Sequence, residues 1–293
     1  MNFLKRLSTH KAALIGFILI LFFAFIATFA QQICNLLHID PYSQEILARY
    51  SPPDSAHPLG TDEVGRDFLA RIIFGTRVSL GVAILSSLGA LIVGIFVGAL
   101  AGYYGGFLDT LLMRFTDGLL ALPILPVMIL LAAVDFEKIP IVKDIVSSND
   151  GGFVKMLLIF ILFSWMTVAR LVRAQTLKLR ELEFVVAAKS LGLRDWRIIL
   201  FHILPSILPA VVVDITLNVG QTILFESALS FLGLGIQPPL ASWGSMLNNG
   251  LEALSMSPAM VFYPGFMILI IVVSFNFLGD GMGYALDPQS HKR

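Results

Sequence analysis

The sequence predicts an all-α membrane protein with six transmembrane helices, and its composition and its apolar pattern both carry this prediction. Hydrophobic residues make up 57% of the 293 residues and charged residues only 14%, with a mean hydropathy of +0.84. Soluble domains carry about 25% charged residues. Six apolar stretches approach or reach the roughly 20 residues that cross a bilayer core. They are residues 12–30, 78–101, 118–134, 153–168, 207–224 and 261–277.

Composition also argues against several functional classes. Lys plus Arg and Asp plus Glu both number 20, so the formal net charge is zero and no basic footprint for nucleic acid exists. Cys34 is the single cysteine, which excludes an intrachain disulfide and a cysteine-based metal cluster. No GxxxxGK(S/T) phosphate loop occurs. We therefore predict no cofactor, metal or catalytic site on this chain, and any ATP and Mg would be bound by another chain.

The first span follows a short basic head, residues 1–11, which contains Lys5 and Arg6. A secretory signal peptide is the competing interpretation of residues 12–30. This stretch is longer than a usual signal core and further spans follow it, so we predict a retained first helix. Head, first helix and the outer loop after it form a first unit, residues 1–75.

A polar, turn-rich loop is predicted between the first two spans. It contains His57, Asp62, Glu63 and Asp67, four residues that could be mistaken for a metal site. Their spacing fits no metal-ligand pattern. We therefore predict a solvated external loop.

The second span contains Gly94 and Gly98, and Gly102 and Gly106 continue the same four-residue spacing after it. Such a row of small residues lets two membrane helices approach closely. The alternative is that the glycines are merely tolerated, but the regular spacing favours packing, with a sister subunit as the candidate partner. Residues 103–114 are predicted to form a short inner loop.

Two prolines interrupt the third span. Pro123 and Pro126 each remove a backbone N–H, so that neighbouring groups must satisfy the freed carbonyls. Residues 135–152 are predicted to form an outer loop. The fourth span then leads to Arg170 and Arg173 on the inner side.

The longest charged passage of the chain, residues 181–205, lies between the fourth and fifth spans. Its first eleven residues are helix formers without a breaker, and Gly192 stands where a helix end takes a left-handed residue. A second helix from Arg194 is predicted to stop at Pro205 and Pro209. This helix–Gly–helix pattern favours a docking element for a soluble partner over an ordinary solvated loop.

The fifth span carries a polar stripe. Asp214, Asn218 and Gln221 fall within about 60° of arc on one helix face. A charge near the bilayer centre costs about 2.5–3.5 kcal/mol, so the stripe is expected to line a translocation path or to form interhelical hydrogen bonds worth about 0.6 kcal/mol each. Both interpretations stay open, with the acid favouring the path. Glu226 points elsewhere and is predicted at the outer edge.

Positive charges predict the orientation. With six spans and an inside N-terminus, thirteen Lys and Arg fall on the cytoplasmic side and seven outside, which accounts for all twenty. This bias indicates that both termini and residues 181–205 are cytoplasmic.

The charged passage also resembles a known motif. Ala187-Ala188, Gly192 and Leu204-Pro205 are similar to the EAA loop of permease subunits of ATP-binding-cassette (ABC) importers, although Val186 replaces the motif's Glu and Glu183 lies one turn earlier. The resemblance implies a coupling helix, residues 188–198, seated in a groove of an ATPase subunit. The residues assigned to this contact are Glu183, Ala187, Ala188, Leu191, Gly192, Arg194, Trp196 and Pro205.

A second resemblance covers nearly the whole chain. The string HPLGTDEVGRDFLARIIFGTRVSLGVA, residues 57–83, is similar to the "C-type" subunit of dipeptide, oligopeptide and nickel permeases. The segment GLGIQPPLASWGSML and the residues Leu286-Asp287-Pro288 are similar to the same subfamily. This resemblance implies a type I ABC importer (MetI-like) transmembrane domain, residues 76–280, with a cytoplasmic tail, residues 281–293.

The resemblance also implies function and partners. The expected protein is a multi-pass permease subunit of the bacterial inner membrane that imports di- or oligopeptides by alternating access. Expected partners are a homologous second permease subunit, two ABC ATPase subunits, an extracytoplasmic substrate-binding protein and the lipid bilayer. Nickel or another small solute is the alternative cargo. A secondary transporter is less favoured because no inverted repeat is evident, and no nucleophile–base pair supports a membrane-embedded enzyme.

Overall fold

The computed structural model describes residues 10–138 and 151–286. Regular structure in these two ranges is helical apart from one isolated β-bridge between Thr61 and Asp67. Some predicted features lie outside the described residues. They are Lys5 and Arg6 of the basic head, most of the loop predicted for residues 135–152, and the tail after residue 286, with Asp287 and Pro288.

The helices within the described residues confirm the predicted class. They are α1 (Lys11–Thr28), α2 (Ala30–Leu37), α3 (Phe68–Tyr104), α4 (Gly106–Leu120), α5 (Ile124–Ala133), α6 (Gly151–Leu179), α7 (Glu183–Ser190), α8 (Asp195–Ile198), α9 (Leu204–Phe231), α10 (Trp243–Glu252) and α11 (Ala259–Leu286). Short 3₁₀ turns lie at Ile46–Ala48 and Phe136–Lys138. The first, second, fourth, fifth and sixth predicted spans coincide with long apolar helices: α1, α3, α6, α9 and α11.

The third predicted span is a bent pair of helices, α4 and α5, whose axes meet at 82°. The bend lies where Pro123 precedes α5, because the residue before a proline is disfavoured in helical conformation. The predicted inner loop at residues 103–114 is wrong. Only Gly105, with a φ of 66°, interrupts the helix there.

The bent pair crosses the full height of the molecule. At the start of α4, Asp109 accepts hydrogen bonds from Arg173 near the end of α6, one of them 2.7 Å long. At the end of α5, the Ala132 carbonyl accepts from Lys155 Nζ near the start of α6. The pair therefore runs antiparallel to α6 and provides the third of six crossings.

The glycine row forms the close contact between α3 and α6. A Cβ on Gly94 would lie 2.5 Å from Val168 Cβ, and one on Gly102 would lie 2.7 Å from Thr176 Cβ. Gly98 faces the Ala169 carbonyl more closely still. The predicted ridge is confirmed, but its partner is a helix of the same chain rather than a sister subunit. Gly106 does not belong to it, since a Cβ at that position would have no described atom within 4 Å.

The remaining spans alternate in direction. Ser87 Oγ donates to Asn218 Oδ1 at 3.2 Å and Ser79 Oγ to Glu226 at 3.2 Å, so α9 runs antiparallel to α3. Helix α11 in turn runs antiparallel to α9, because Gly279 packs on Leu217 whereas Phe275 packs on Gly220. The successive reversals give six crossings in alternating directions.

Both ends of the described chain lie on one face. His10, the N-cap of α1, approaches Tyr284 near the end of α11, with ring centroids 6.0 Å apart. The segment between α6 and α9 lies on this same face, because Tyr103, at the end of α3, donates through its hydroxyl to Asp195. We call this the terminal face, and the opposite side the distal face.

The distal face is covered by a folded cap, formed by the segment between α2 and α3 together with α10, so the prediction of a solvated loop is wrong. Asp62 and Asp67 are each 2% exposed. Arg66 Nε donates to Asp62 at 2.7 Å, Arg71 lies 3.2 Å from the same carboxylate, and His57 Nδ1 lies 2.9 Å from Asp67. Paired charges can be buried at lower cost than isolated ones, and Asp67 also caps α3 by accepting from the Ala70 N–H at 2.7 Å.

The predicted stop at Pro205 and Pro209 is also wrong. The chain continues from α8 through a π-helix, Ile199–Ile203, into α9. Pro205 occupies the first turn of α9, where a missing N–H is tolerated, and Pro209 lies inside it. A π-turn changes the hydrogen-bond register just before the first proline, and such turns recur at functional sites.

Candidate functional site

The docking element is built on two short helices joined at Gly192. The Gly192 N–H donates to Lys189 O at 3.0 Å and the Leu193 N–H to Ala188 O at 3.2 Å, which is a Schellman ending for α7. Gly192 adopts a φ of 77°, a left-handed conformation that favours glycine. Arg194 then returns to extended backbone and α8 begins. The predicted helix–Gly–helix is confirmed.

The two helices are amphipathic in a way that leaves one face uncovered. Val185 and Ala188 are buried against Ile198, the ends of α3 and α6 and the start of α9. On the opposite side Leu191 is 81% exposed and Trp196 is 49% exposed. Large exposed apolar side chains on a polar segment indicate an interaction surface.

The residues that the sequence assigns to this surface differ in their exposure. Ala188 is 5% exposed and packs inside the protein, so its predicted role in the partner contact is wrong. The physical reason is that α7 turns this face towards the ends of α3 and α6 at the terminal face. The other assigned residues are exposed: Glu183, Ala187, Leu191, Gly192, Arg194, Trp196 and Pro205.

Polar contacts tie the docking element to the spans. Tyr103 Oη donates to Asp195 Oδ1 at 2.8 Å, which joins the end of α3 to the start of α8. Arg180 Nη1 donates to Gly102 O at 3.1 Å and holds the end of α6 to α3. The sequence prediction did not include Tyr103 or Arg180, because nothing local to either residue signals the contact. A displacement of α8 would therefore be transmitted to α3 through the contact between Asp195 and Tyr103.

Two of the three residues of the polar stripe on α9 lie together in the structure. Asn218 and Gln221 line one cleft, which α6 borders with Ser164 and Thr167. Asn218 also accepts from Ser87 on α3 at 3.2 Å. Asn218 therefore makes an interhelical hydrogen bond, and Gln221 is exposed beside the cleft. The translocation path along this stripe stays a prediction.

Asp214 lies outside the lining of that cleft. Its Oδ2 atom is buried, and no hydrogen-bond partner for it exists among the residues that the structure describes. An unpaired buried carboxylate oxygen is costly within a protein. The role of Asp214 in a translocation path stays a prediction.

Glu226, which was predicted at the outer edge, lies towards the distal end of α9 and is fully buried, at 0% exposure. It accepts from Ser230 Oγ at 2.7 Å and from Ser79 Oγ at 3.2 Å. Ser79 Oγ also accepts from the Trp243 N–H at the start of α10. The carboxylate thus joins α3 and α9 and, through Ser79, the start of α10. Because these groups come from separate segments, no sequence signal predicted the cluster.

Metal binding has no support in the described part of the chain, where no three His, Cys, Asp or Glu side chains are grouped to hold an ion. Cys34 is buried in α2, and burial, with Asp67 and Asp40 nearby, raises the pKa of its thiol to about 11. A thiol of this kind stays protonated at neutral pH and is a poor nucleophile.

Comparison with known families decides the identity of this arrangement. Residues 94–292 match the family described as the binding-protein-dependent transport system inner membrane component. The chain belongs to this permease family. Residues 2–53 of the permease also match the N-terminal transmembrane domain of oligopeptide transport permease C.

Relatives of the permease are similar along almost its whole length. The dipeptide transport system permease protein DppC of Alkalihalophilus pseudofirmus is 39% identical, with 97% of this chain and 88% of that protein covered. The glutathione transport system permease protein GsiD of Pectobacterium atrosepticum is 38% identical over 97% and 89%. The oligopeptide transport system permease protein OppC of Bacillus subtilis is 34% identical over 98% and 88%.

A solved structure shows the fold. A chain of the MetNI methionine ABC transporter, in an inward-facing conformation, aligns with the permease at a TM-score of 0.56 and 17% identity, covering 75% of this chain and 97% of that one. The predicted MetI-like fold is therefore confirmed. The family match includes both the docking element and the polar stripe, whose roles stay predictions.

Proposed function

We propose that this permease forms half of the translocation path of an ATP-driven peptide importer. The similarity over 97% of the chain to dipeptide and glutathione permeases carries the substrate class, since both cargoes contain peptide bonds. Asn218 and Gln221 offer amide groups to such a cargo in the cleft between α6 and α9. Amides can both donate to and accept from a peptide backbone.

Energy would enter through the docking element. Leu191 and Trp196 are exposed on the terminal face, and buried aromatic side chains often dominate protein interfaces. We propose that each of two ATPase subunits, which would hold ATP and Mg, receives one such element, one from this permease and one from a homologous second permease subunit. Closure of the ATPases would move α8, and the contact between Asp195 and Tyr103 would pass the movement to α3.

An extracytoplasmic substrate-binding protein would deliver the cargo to the distal cap. Opening the path outward would separate spans on that side, and hydrolysis would reset them. Nickel or another small solute is the alternative cargo of the same machine. A secondary transporter, the more distant alternative, would draw on an ion gradient instead of ATP.

Growth and uptake measurements test this proposal. Deleting the gene in a leucine auxotroph should abolish growth on leucine-containing di- or tripeptides but not on free leucine, and the intact gene should restore it. Uptake of labelled dipeptide should survive collapse of the proton gradient while ATP is maintained. Unchanged peptide uptake together with lost nickel uptake would favour the alternative cargo, and loss of uptake with the gradient would favour a secondary transporter.

We propose in addition that the terminal face is cytoplasmic, as the excess of positive charge predicts. A cysteine at Ser190, which is exposed on the terminal face, should resist an impermeant thiol reagent in intact cells, whereas one at Ser55 in the distal cap should react. The wild-type chain serves as a blank because Cys34 is buried with a raised pKa. If the cysteine at position 190 reacts and the one at position 55 does not, the orientation is the reverse of the one proposed.

A further inference from the structure

A long groove lies between α1, α3 and α11, in the half of the molecule towards the distal face. Its walls are almost entirely apolar and include Ile20, Ala24, Leu80 and Phe275. Exposed side chains such as Ile84 border it, so that the groove opens on the apolar outer surface of the bundle. On a membrane protein such a surface contacts lipid.

Arg77 stands at one end of this groove. Its side chain is exposed, and it forms no hydrogen bond or ion pair with any of the residues that the structure describes. The other arginines near the start of α3 differ in this respect. Arg66 and Arg71 are buried and both pair with Asp62. Arg77 is therefore a cation without a protein partner, among the described residues, beside an apolar channel.

The position of Arg77 along the spans places it at headgroup level. It lies beside Thr28, the last residue of α1, whose 18 residues span about 27 Å from Lys11. That length is close to the hydrocarbon thickness of about 30 Å. Lys11 and Arg77 therefore bracket one apolar layer, and Arg77 reaches the level of the lipid phosphates on the distal side.

We propose that the groove is a binding site for one anionic phospholipid, with its phosphate on Arg77 and an acyl chain along the groove towards Leu85. From Arg77 to Leu85 the helix rises about 12 Å, so the groove has room for the part of an acyl chain that is nearest the headgroup. The planar guanidinium forms paired hydrogen bonds with phosphate oxygens. The lipid would fix α1 against α3 and α11, the helices between which the groove lies.

The lining favours a lipid over an extended protein segment as the occupant. An extended polypeptide in the groove would need partners for its backbone polar groups, since these must be satisfied within a bilayer, whereas a helix satisfies its own and is distinguished by the cross-linking test below. Besides Arg77, the polar side chain in the lining is that of Thr28, and its hydroxyl already donates to Ala24 O at 2.8 Å. An acyl chain needs no hydrogen bonds.

Lipid retention tests the site. The full-length chain, purified with its bound subunits in micelles containing equal amounts of phosphatidylglycerol and phosphatidylethanolamine, should retain phosphatidylglycerol preferentially by mass spectrometry. Arg77→Ala should reduce that retention about fivefold, which corresponds to about 1 kcal/mol for one basic residue at a membrane surface. Arg77→Lys should keep most of it.

Two further variants separate charge from shape. Arg49→Ala removes another exposed arginine of the distal side, one that stacks on Tyr50 and lies outside the groove, and should leave retention unchanged. Ala24→Phe fills the groove and should lower retention although Arg77 is intact. Equal retention by wild type and Arg77→Ala would overturn the proposal. So would a cross-link from a cysteine at position 77 to a second permease subunit, because a protein would then cover the groove.

Discussion

Replacing Asp214 by asparagine is expected to lower peptide import at least about tenfold while the complex stays assembled. The reason is the buried Oδ2 atom, which lacks a partner among the described residues. If that oxygen faces a water-filled path or a moving cargo, its charge is used during transport, and a lost charged hydrogen bond of about 1.5–3 kcal/mol corresponds to a tenfold or larger effect. Uptake of labelled dipeptide and the amount of assembled complex are measured in the same membranes.

The matched control for this change is Asp280→Asn, which neutralises an exposed acid on α11 and should leave both quantities near wild type. If import and the amount of assembled complex fall by the same factor in Asp214→Asn, the residue acts only by holding helices together. Import that stays normal would remove Asp214 from both roles.

The spans could be predicted from the sequence because the bilayer selects for a local property. A stretch of apolar residues long enough to cross it is visible without any tertiary information. The helix ends could not be predicted in the same way. Helix α3 begins at Phe68, ten residues before the predicted span, since the folded cap rather than lipid surrounds its first turns. Hydropathy locates the membrane layer, whereas the protein cap extends the helix beyond it.

Contacts between distant segments explain why the burial of two carboxylates was not predicted. The burial of Asp62 depends on Arg66 and Arg71, and the burial of Glu226 depends on hydroxyls from other segments. Neither pairing follows from spacing alone. A charged residue in a membrane protein is thus predicted to be solvated until its partner is known, and that partner is supplied by the tertiary fold.

The docking element, residues 183–198, shows the same difference between local and tertiary signals. The end of α7 at Gly192 follows from local chemistry, since a Schellman ending needs only a glycine after a helix. Which alanine faces outward does not follow. Ala187 and Ala188 are adjacent, yet only Ala187 is exposed, because the rotation of α7 is set by its packing on Val172 and Ile198. The motif resemblance located the element, and the packing assigned its faces.

Gly192→Val is expected to weaken both the binding and the stimulation of the ATPase subunits while the permease still inserts into the membrane. Gly192 has a φ of 77°, and a β-branched residue opposes that conformation by roughly 1–2 kcal/mol. No described atom lies within 4 Å of a Cβ placed there, so the effect comes from backbone strain rather than from a clash. The strain would tilt α8, and Trp196 would leave the position in which an ATPase subunit could hold it.

Co-purification of the ATPase subunits and substrate-stimulated ATP hydrolysis measure this effect, and both should fall strongly in Gly192→Val. Gly118→Val is the matched control, since Gly118 is exposed within α4, also has no described atom within 4 Å of a Cβ placed there and has an ordinary helical backbone. Gly192→Ala should give an intermediate loss, because it retains the left-handed strain without β-branching. If Gly192→Val binds and stimulates its ATPases as the wild type does, movement enters the spans elsewhere, and the exposed faces of Leu191 and Trp196 need another explanation.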